Sequence, residues 1–564
     1  MKLTGGQILC ESLLMEGVNL VFGIPGGAIL PLYQTMPNYP QLHHILVRHE
    51  QGAAMAADGY ARATGKVGVC TATSGPGATN LVTGIACAMM DSVPIVAITG
   101  QVSRGVLGSD AFQEIDMTGI TLPITKHNYL VMNVEDIAPV IKEAFHIART
   151  GRPGPVLVDL PRDVLQDERA EFVWPESVDI AGYNPPGDAD PEQVARAATL
   201  IGQAERPIIM AGHGVLISRA YGEMLELAEK TQTPVVTTLL GIGSLPTSHY
   251  LNLGMTGMHG MAGASLAVDK SDLIIALGMR FDDRVTGRLK DFATNAKVIH
   301  IDIDPSELNK NVKADVPIVG DIKCVLQQLL LKVEPKIHID WLRYVDTLRA
   351  EHPTTHIRQT DALLPQFVLR ELSQVTQGDS IIVTGVGQHQ MWAAQFCAFN
   401  EPNTLITSGG LGSMGYEVPA ALGAKVGRPD KTVWSIAGDG GFQMTMCDLA
   451  TAAENKIDVK FAILNNGSLG LVRQLQDLFF DQERFATQYT ANPDFVKLAE
   501  AYGIHGIRVT AKDRVNGAIQ EAMETPGPVV IDFRVVEGEN VYPMIPAGAS
   551  VNEMIEEPAS EGIH

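Results

Sequence analysis

The run Thr432-Val433-Trp434-Ser435-Ile436-Ala437 is apolar and of strand length, and it leads directly into Gly438-Asp439-Gly440. Phe442 to Glu454 then reads as a helix, and Val459 to Leu464 as a second strand that stops on Asn465-Asn466. Strand, glycine turn, helix and strand in this order are the unit of an α/β sheet. The unit places one carboxylate, Asp439, and one amide, Asn466, at the carboxyl ends of neighbouring strands, where such sheets bind ligands. Hard oxygen donors suit Mg²⁺, which takes few protein ligands and completes its shell with water and substrate phosphates. The glycines allow the backbone to approach a phosphate, and the helix start that follows favours an anion.

The same pattern recurs elsewhere. Gly59 to Gly65 leads to an expected strand at Val67 to Ala72 and a turn at Gly75-Pro76-Gly77. Gly423 to Gly427 leads in the same way to the strand at Thr432. Gly154-Pro155-Val156-Leu157-Val158-Asp159-Leu160 is echoed by Gly527-Pro528-Val529-Val530-Ile531-Asp532-Phe533. Two related α/β domains are therefore expected at the ends of the chain. Between them, strands are expected at Pro207 to Ala211, Pro234 to Leu239, Leu273 to Leu277 and Val298 to Ile303, separated by helical stretches. Gln166 to Pro191 reads as a linker, and Val333 to Thr360 as a second linker carrying a lone helix. The expected fold is three doubly wound parallel-sheet domains, at residues 1–165, 190–335 and 362–564.

A length of 564 residues accommodates three such domains, and a net charge of −22 argues against nucleic acid as a partner. The cysteines Cys10, Cys70, Cys87, Cys324, Cys397 and Cys447 are scattered, with no zinc or disulfide spacing, which points to a reducing compartment. The longest apolar runs, such as Pro94 to Thr99, are too short to span a bilayer. The stretch Met1 to Gly6 carries no signal-peptide pattern. The expected location is the cytoplasm, without a membrane partner.

In Arg48-His49-Glu50-Gln51-Gly52, Glu50 opens an alanine-rich helix running to Ala63. By itself that is ordinary helix capping. The spacing from Gly438-Asp439-Gly440 to Asn465-Asn466 resembles the diphosphate-binding motif of thiamine diphosphate enzymes. Further segments extend the likeness over nearly the whole chain: Phe22 to Ala28, Thr73 to Asn80, Asp110 to Glu114, Arg280 to Gly287, Val386 to Trp392 and the tail Val541 to Pro546. Together they resemble the acetohydroxyacid synthase (acetolactate synthase) family in its FAD-containing biosynthetic form.

The resemblance implies a pyrimidine-binding, a central FAD-binding and a diphosphate-binding domain, in that order. It implies that Glu50 activates the cofactor by hydrogen-bonding its aminopyrimidine ring, as a buried acid of raised pKa. Met414 would hold the cofactor bent. Asp439, Asn466 and the carbonyl of Ser468 would ligate Mg²⁺. Phe112 and Gln113 would face the reaction centre from another subunit, and Arg284 would fork onto the carboxylate of the second 2-oxo acid. Flavin contacts are implied for Gly212, Gly214, Met258, His259, Arg280, Asp302 and Asp304, although Gly212-His213-Gly214 lacks the third glycine of a dinucleotide fingerprint. Further cofactor contacts are implied for Gly26, Gly27, Pro76, Arg152, Gly278, Val386, Gln388, His389, Gly412, Gly438, Gly440, Gly441 and Gly470.

The chain departs from the family pattern at several points. Leu475 stands where a tryptophan is usual, Gly385 where an acid is usual, and Glu417-Val418 where a glycine-leucine pair is usual. His213 interrupts a run of glycines, and Gly467-Ser468 replaces larger polar residues. The implied reaction is decarboxylation of pyruvate on thiamine diphosphate and ligation of the hydroxyethyl carbanion to a second 2-oxo acid. Pyruvate would give 2-acetolactate, and 2-oxobutyrate would give 2-aceto-2-hydroxybutyrate, in branched-chain amino acid biosynthesis. A homodimer or tetramer is implied, and biosynthetic members often bind a separate regulatory subunit. The alternatives are another thiamine diphosphate carboligase, such as glyoxylate carboligase, which lacks the activating glutamate, or a pyruvate oxidase-like enzyme. A non-catalytic homologue would be expected to lose Glu50, Asp439 or Asn466.

Overall fold

Apolar runs become the strands of three six-stranded sheets, each wholly parallel, in a computed structural model that describes residues 2–187 and 189–557. Met1 of the amino-terminal stretch, Asp188 of the first linker and residues 558–564 lie outside the described residues. The first sheet holds β1 (Leu20–Gly23), β2 (His43–Leu46), β3 (Gly68–Ala72), β4 (Ile95–Gln101), β5 (His127–Leu130) and β6 (Val156–Pro161), in the order β2-β1-β3-β4-β6-β5. The second holds β7 (Pro207–Ala211), β8 (Val235–Thr237), β9 (Asn252–Met255), β10 (Leu273–Leu277), β11 (Lys297–Asp302) and β12 (Val316–Val319), in the order β9-β8-β7-β10-β11-β12. The third holds β13 (Ile381–Thr384), β14 (Leu405–Thr407), β15 (Val433–Gly438), β16 (Val459–Asn465), β17 (His505–Val509) and β18 (Val529–Arg534), in the order β14-β13-β15-β16-β18-β17.

The first and third sheets share one strand permutation, and the echoed segments at Gly154 and Gly527 supply the same strand of each, β6 and β18. The middle sheet has a different permutation, the one found in dinucleotide-binding sheets. Its outer strands, β9 and β12, were not anticipated. Both lie at sheet edges, and Gly254 and Pro317 weaken their strand signal.

The helices that bear on the site are α1 (Glu50–Thr64), α2 (Ile339–Glu351), α3 (Gln388–Phe396), α4 (Glu417–Gly427), α5 (Asp439–Thr445) and α6 (Gly470–Phe479). Two expectations are corrected here. The helix expected at Phe442 to Glu454 starts earlier and breaks: after α5 comes a 3₁₀ turn, Met446–Asp448, and then a short helix, Leu449–Glu454. The break turns Asp448 inward, where its Oδ1 accepts from the Arg48 N–H at 2.8 Å and from Thr451 Oγ1 at 3.0 Å. The lone linker helix, α2, is no linker element. It packs Trp341, Val345 and Leu348 into the core beside the second sheet, and Trp341 Nε1 donates to the Pro207 carbonyl at 2.9 Å.

The first and third units join through α1 and α4. A Cβ on Gly59 would overlap the Ala420 carbonyl, and one on Gly423 would overlap that of Ala56. Backbones this close need small residues on both faces, and Ala53, Ala57, Ala421 and Ala424 supply them, all buried. Beside this contact lies a buried ion network. Arg62 pairs with Asp58 at 2.7 Å and with Asp91 at 2.8 Å, and Tyr416 Oη donates to Asp58. Asp91 also accepts the N–H groups of Gly409 at 2.9 Å and Gly410 at 2.6 Å. Removing the one cation strands two carboxylates in the interior. Arg62→Met is therefore expected to lower stability by about 3–5 kcal/mol, read as a shift in the denaturant midpoint at unchanged slope.

Candidate active site

Three groups of residues form at strand ends. The first lies where β13, β15 and β16 release the chain. Asp439 opens α5 and is buried. Its Oδ2 accepts from Asn492 Nδ2 at 2.6 Å, while its Oδ1 is buried with no partner. Burial pushes the carboxyl up to about 6, against the pull of the Asn492 amide and nearby N–H groups. Asn466 Oδ1 accepts from the Ser468 N–H at 3.1 Å and from Ser468 Oγ at 3.3 Å. Asn466 Nδ2 donates to Gln388 Oε1 at 3.3 Å, and Gln388 Nε2 donates to Gln474 Oε1 at 3.0 Å and to the Glu539 carbonyl at 2.8 Å.

An orphaned carboxylate oxygen beside an amide oxygen is a hard donor set that fits Mg²⁺. No cluster of three or more His, Cys, Asp or Glu able to hold a metal exists among the described residues, so most of such an ion's shell would come from a ligand or water. The turns around it are tightly packed, and glycine is required at several positions. A Cβ on Gly470 would overlap Gln388 Oε1, and one on Gly440 would stand 2.6 Å from Tyr489 Oη and 3.6 Å from Met414 Cε. Gly438 is as close to His389, whose ring burial drives down to about 3, leaving it neutral with Nε2 unpartnered. Gly441 follows in the first turn of α5.

The second group lines a cleft of about 1100 Å³ where all three units meet. The middle sheet contributes the turns after β7 and β10, its topological switch point, with Gly214, Gly278 and Arg280 on the wall. Gly212 packs beneath them against the Gly278 carbonyl. Met258, His259 and Asp302 line the same wall. Burial pushes His259 down to about 4 and Asp302 up to about 6. Arg152 arrives from the first unit and pairs with Asp304 at 3.2 Å and with Glu307 at 2.8 Å. Val386, Gly412 and Leu475 line the cleft from the third unit.

Arg284 lies at the mouth of this cleft with a side chain 63 % exposed. Its ion pair with Asp283, at 3.7 Å in open water, is weak, and its Nη1 donates to Met258 Sδ at 3.3 Å. The guanidinium is thus free to meet a ligand. Leu475 is 37 % exposed and shares the wall with Met258. The interrupting His213 has a structural partner: its Nδ1 donates to the Asp91 carbonyl at 2.8 Å.

The third group sits on the first sheet, and none of it lines the cleft. Glu50 Oε2 accepts from Asn80 Nδ2 at 2.9 Å, and a Cβ on Gly77 would stand 3.2 Å from Glu50 Oε1. Gln113, held at φ 62°, abuts Gly75, next to Pro76. Gly26 touches Thr73, Gly27 faces open space, and Phe112 is 88 % exposed. Glu50 itself is half-buried, so the burial expected of it is not met within one chain. Asn80, Asn492 and Tyr489 join these groups although no local motif assigns them a role. Asn492 carries only an Asn-Pro turn signal, and its contact with Asp439 is long-range.

Comparison with known proteins gives three matches to thiamine pyrophosphate enzymes: the N-terminal TPP binding domain over residues 3–120, the central domain over 194–329 and the C-terminal TPP binding domain over 385–533. The acetolactate synthase of Mycobacterium bovis is 52% identical over 566 residues, covering 98% of this chain and 91% of the relative. The acetolactate synthase large subunit of Corynebacterium glutamicum is 52% identical over 564 residues, covering 98% and 90%. The acetolactate synthase isozyme 2 large subunit of Escherichia coli is 45% identical over 554 residues, covering 98% and 100%. The strand-end cluster, the three parallel sheets and these full-length matches agree, and the chain belongs to the acetolactate synthase family of thiamine pyrophosphate enzymes.

Proposed function

We propose that this chain is the catalytic subunit of an acetolactate synthase with thiamine diphosphate, Mg²⁺ and FAD. The observation that carries the reading is Asp439 Oδ1, buried and unmet beside glycine turns too tight for a Cβ. Two pyruvates and one proton give 2-acetolactate and CO₂. With 2-oxobutyrate as acceptor the product is 2-aceto-2-hydroxybutyrate. When bound, thiamine diphosphate supplies an electron sink that lets a 2-oxo acid lose its carboxylate.

The chain's own residues bind, orient and exchange protons. Asp439, Asn466 and Ser468 would hold Mg²⁺. Gln388, His389, Gly412, Gly438, Gly440, Gly441 and Gly470 would form the diphosphate cradle, with Met414 close to Gly440. Gly26, Gly27 and Pro76 would shape the pyrimidine side, where Glu50 would hold or pass a proton, with Asn80 donating to one of its oxygens. Gln113 and Phe112 stand at the same edge. FAD would lie in the cleft, against Gly214, Met258, His259, Gly278, Arg280, Asp302, Arg152 and Val386, with Gly212 packed behind the wall and Asp304 paired to Arg152. The reaction itself transfers no net electrons. Arg284 grips the carboxylate of the acceptor acid from the cleft mouth.

Neither Glu50 nor Asp439 lines the cleft of its own chain, and this reading brings them together between two copies, with Glu50 of one facing Asp439 of the other. A homodimer, or a tetramer of two dimers, and a separate regulatory subunit belong to this proposal. So do domain limits of 1–165, 190–335 and 362–564, and a cytoplasmic location. Among the described residues no helix is long and apolar enough to cross a membrane. Cys10, Cys70, Cys87, Cys397 and Cys447 are free thiols, in keeping with a reducing compartment.

The first test is product formation from pyruvate by protein supplied with all three cofactors. Glu50→Gln should bind cofactor as the wild type does while acetolactate formation falls at least about a hundredfold, the scale of a lost acid–base step. Near wild-type formation by the variant would sink the assignment of Glu50.

Leu475 governs the choice of acceptor in this proposal. 2-Oxobutyrate exceeds pyruvate by one methylene, which a close apolar wall discriminates by about 10–200-fold. Half-exposed leucine offers less flat surface than an indole ring. In a competition assay with both acids, the wild type should prefer 2-oxobutyrate only weakly, and Leu475→Trp should prefer it strongly. A strong preference already present in the wild type and unchanged in the variant would refute this.

A further inference from the structure

Glu417 opens α4 and is fully buried. Its carboxyl lies among three turns. One begins at Gly385 and leads to Gln388, one contains Gly415 beside Met414, and one contains Gly441 beside Asp439 and Gly440. A Cβ on Gly385 would overlap one carboxyl oxygen and stand 2.5 Å from the carboxyl carbon. One on Gly441 would stand 2.9 Å from the other oxygen. The N–H groups of Gly415 and of Glu417 itself face the carboxyl, yet neither oxygen closes a hydrogen bond. Burial, with no cation beside it, pushes this acid up to about 7. Its neutral form carries one O–H donor and one carbonyl acceptor, both unmet. Buried polar groups without partners are rare in proteins, and one at a ligand cradle calls for a reason.

The resemblance marks both positions as departures: it implies an acid at the position of Gly385 and a glycine at that of Glu417, so that here the two are traded. The geometry explains the trade, because a side chain at 385 and the carboxyl of Glu417 take the same space. We propose that Glu417 is a positioning residue for the cofactor cradle, and that Gly385 and Glu417 form a compensated exchange in which one carboxyl serves the three turns from a different backbone position. It acts through Gln388, Met414 and Asp439 by setting the spacing of the turns that carry them. The inference rests on the reading of this cradle as the thiamine diphosphate site.

The test is calorimetric titration of the apo full-length chain with thiamine diphosphate and Mg²⁺, for the wild type, Glu417→Gly, Gly385→Asp, the double variant and Glu417→Gln. Each glycine or aspartate single change should weaken binding by about tenfold or more, and the double variant should return to within about threefold of the wild type, as coupled neighbours do. Glu417→Gln keeps the shape with a neutral donor and acceptor, and should also bind within about threefold of the wild type. A purely structural role would lower the apo thermal midpoint and leave affinity alone, which would overturn the proposal. Singles whose effects simply add in the double variant would overturn it too. If a single variant does not fold, the double variant decides: near wild-type affinity supports the exchange, and a tenfold loss refutes it. A wild type that binds no thiamine diphosphate refutes the reading of the site itself, an outcome distinct from the others.

Discussion

The contact of α1 with α4 sets the geometry on which everything else depends. Two helices approach until a Cβ at either Gly59 or Gly423 would overlap the opposite backbone. No side chain intervenes, so the spacing is fixed by the backbones themselves, and the Arg62, Asp58, Asp91 and Tyr416 network locks it. Glu50 begins α1 and Glu417 begins α4. The contact therefore holds Glu50 and Glu417, and the groups around them, at a fixed spacing. Neither Glu50 nor Asp439 lines the cleft, so each stands on its own side of this contact.

The second theme is the cost of buried charge. Asp439 and Asp302 are each pushed up to about 6, and Glu417 to about 7, with burial the first cause in every case. A carboxyl whose folded pKa is raised contributes stability that is fully present below its unfolded pKa and is lost as pH rises through the folded value. The window here runs from about 4 to about 7. Near neutral pH the ligand-free chain therefore carries acids that oppose its own fold. In the proposed function a cation at Asp439 would offset that penalty there, and binding and folding would reinforce one another. Glu417 differs from both because it faces neither an ion site nor the cleft, only the glycine turns.

Much of this was legible in the residues. The apolar runs ending in glycine or asparagine predict β7, β10, β15 and β16 closely, because a buried parallel strand has a continuous apolar signature. The echo at Gly154 and Gly527 foretells the shared permutation of the outer sheets. What failed to show was non-local or weakly patterned. The edge strands β9 and β12 carry glycine and proline. The break before Leu449 follows from Asp448 reaching toward Arg48, a contact that no local window contains. Asn492 bonds to Asp439 from a loop whose only signal is a turn. The trade of Gly385 for Glu417 was visible as two separate oddities, and only their overlap in space joins them.

The central claim is that one working site draws Glu50 from one copy and Asp439 from another, and subunit complementation tests it most directly. Glu50→Gln and Asp439→Ala chains, each inactive alone, are unfolded together, refolded and assayed for acetolactate. A mixed dimer then holds one doubly damaged site and one intact site. Random pairing should restore about a quarter of wild-type activity, as expected for a two-fold symmetric pair with sites at its interface. If both residues serve the same site within one chain, every site in the mixture stays damaged, and no activity returns.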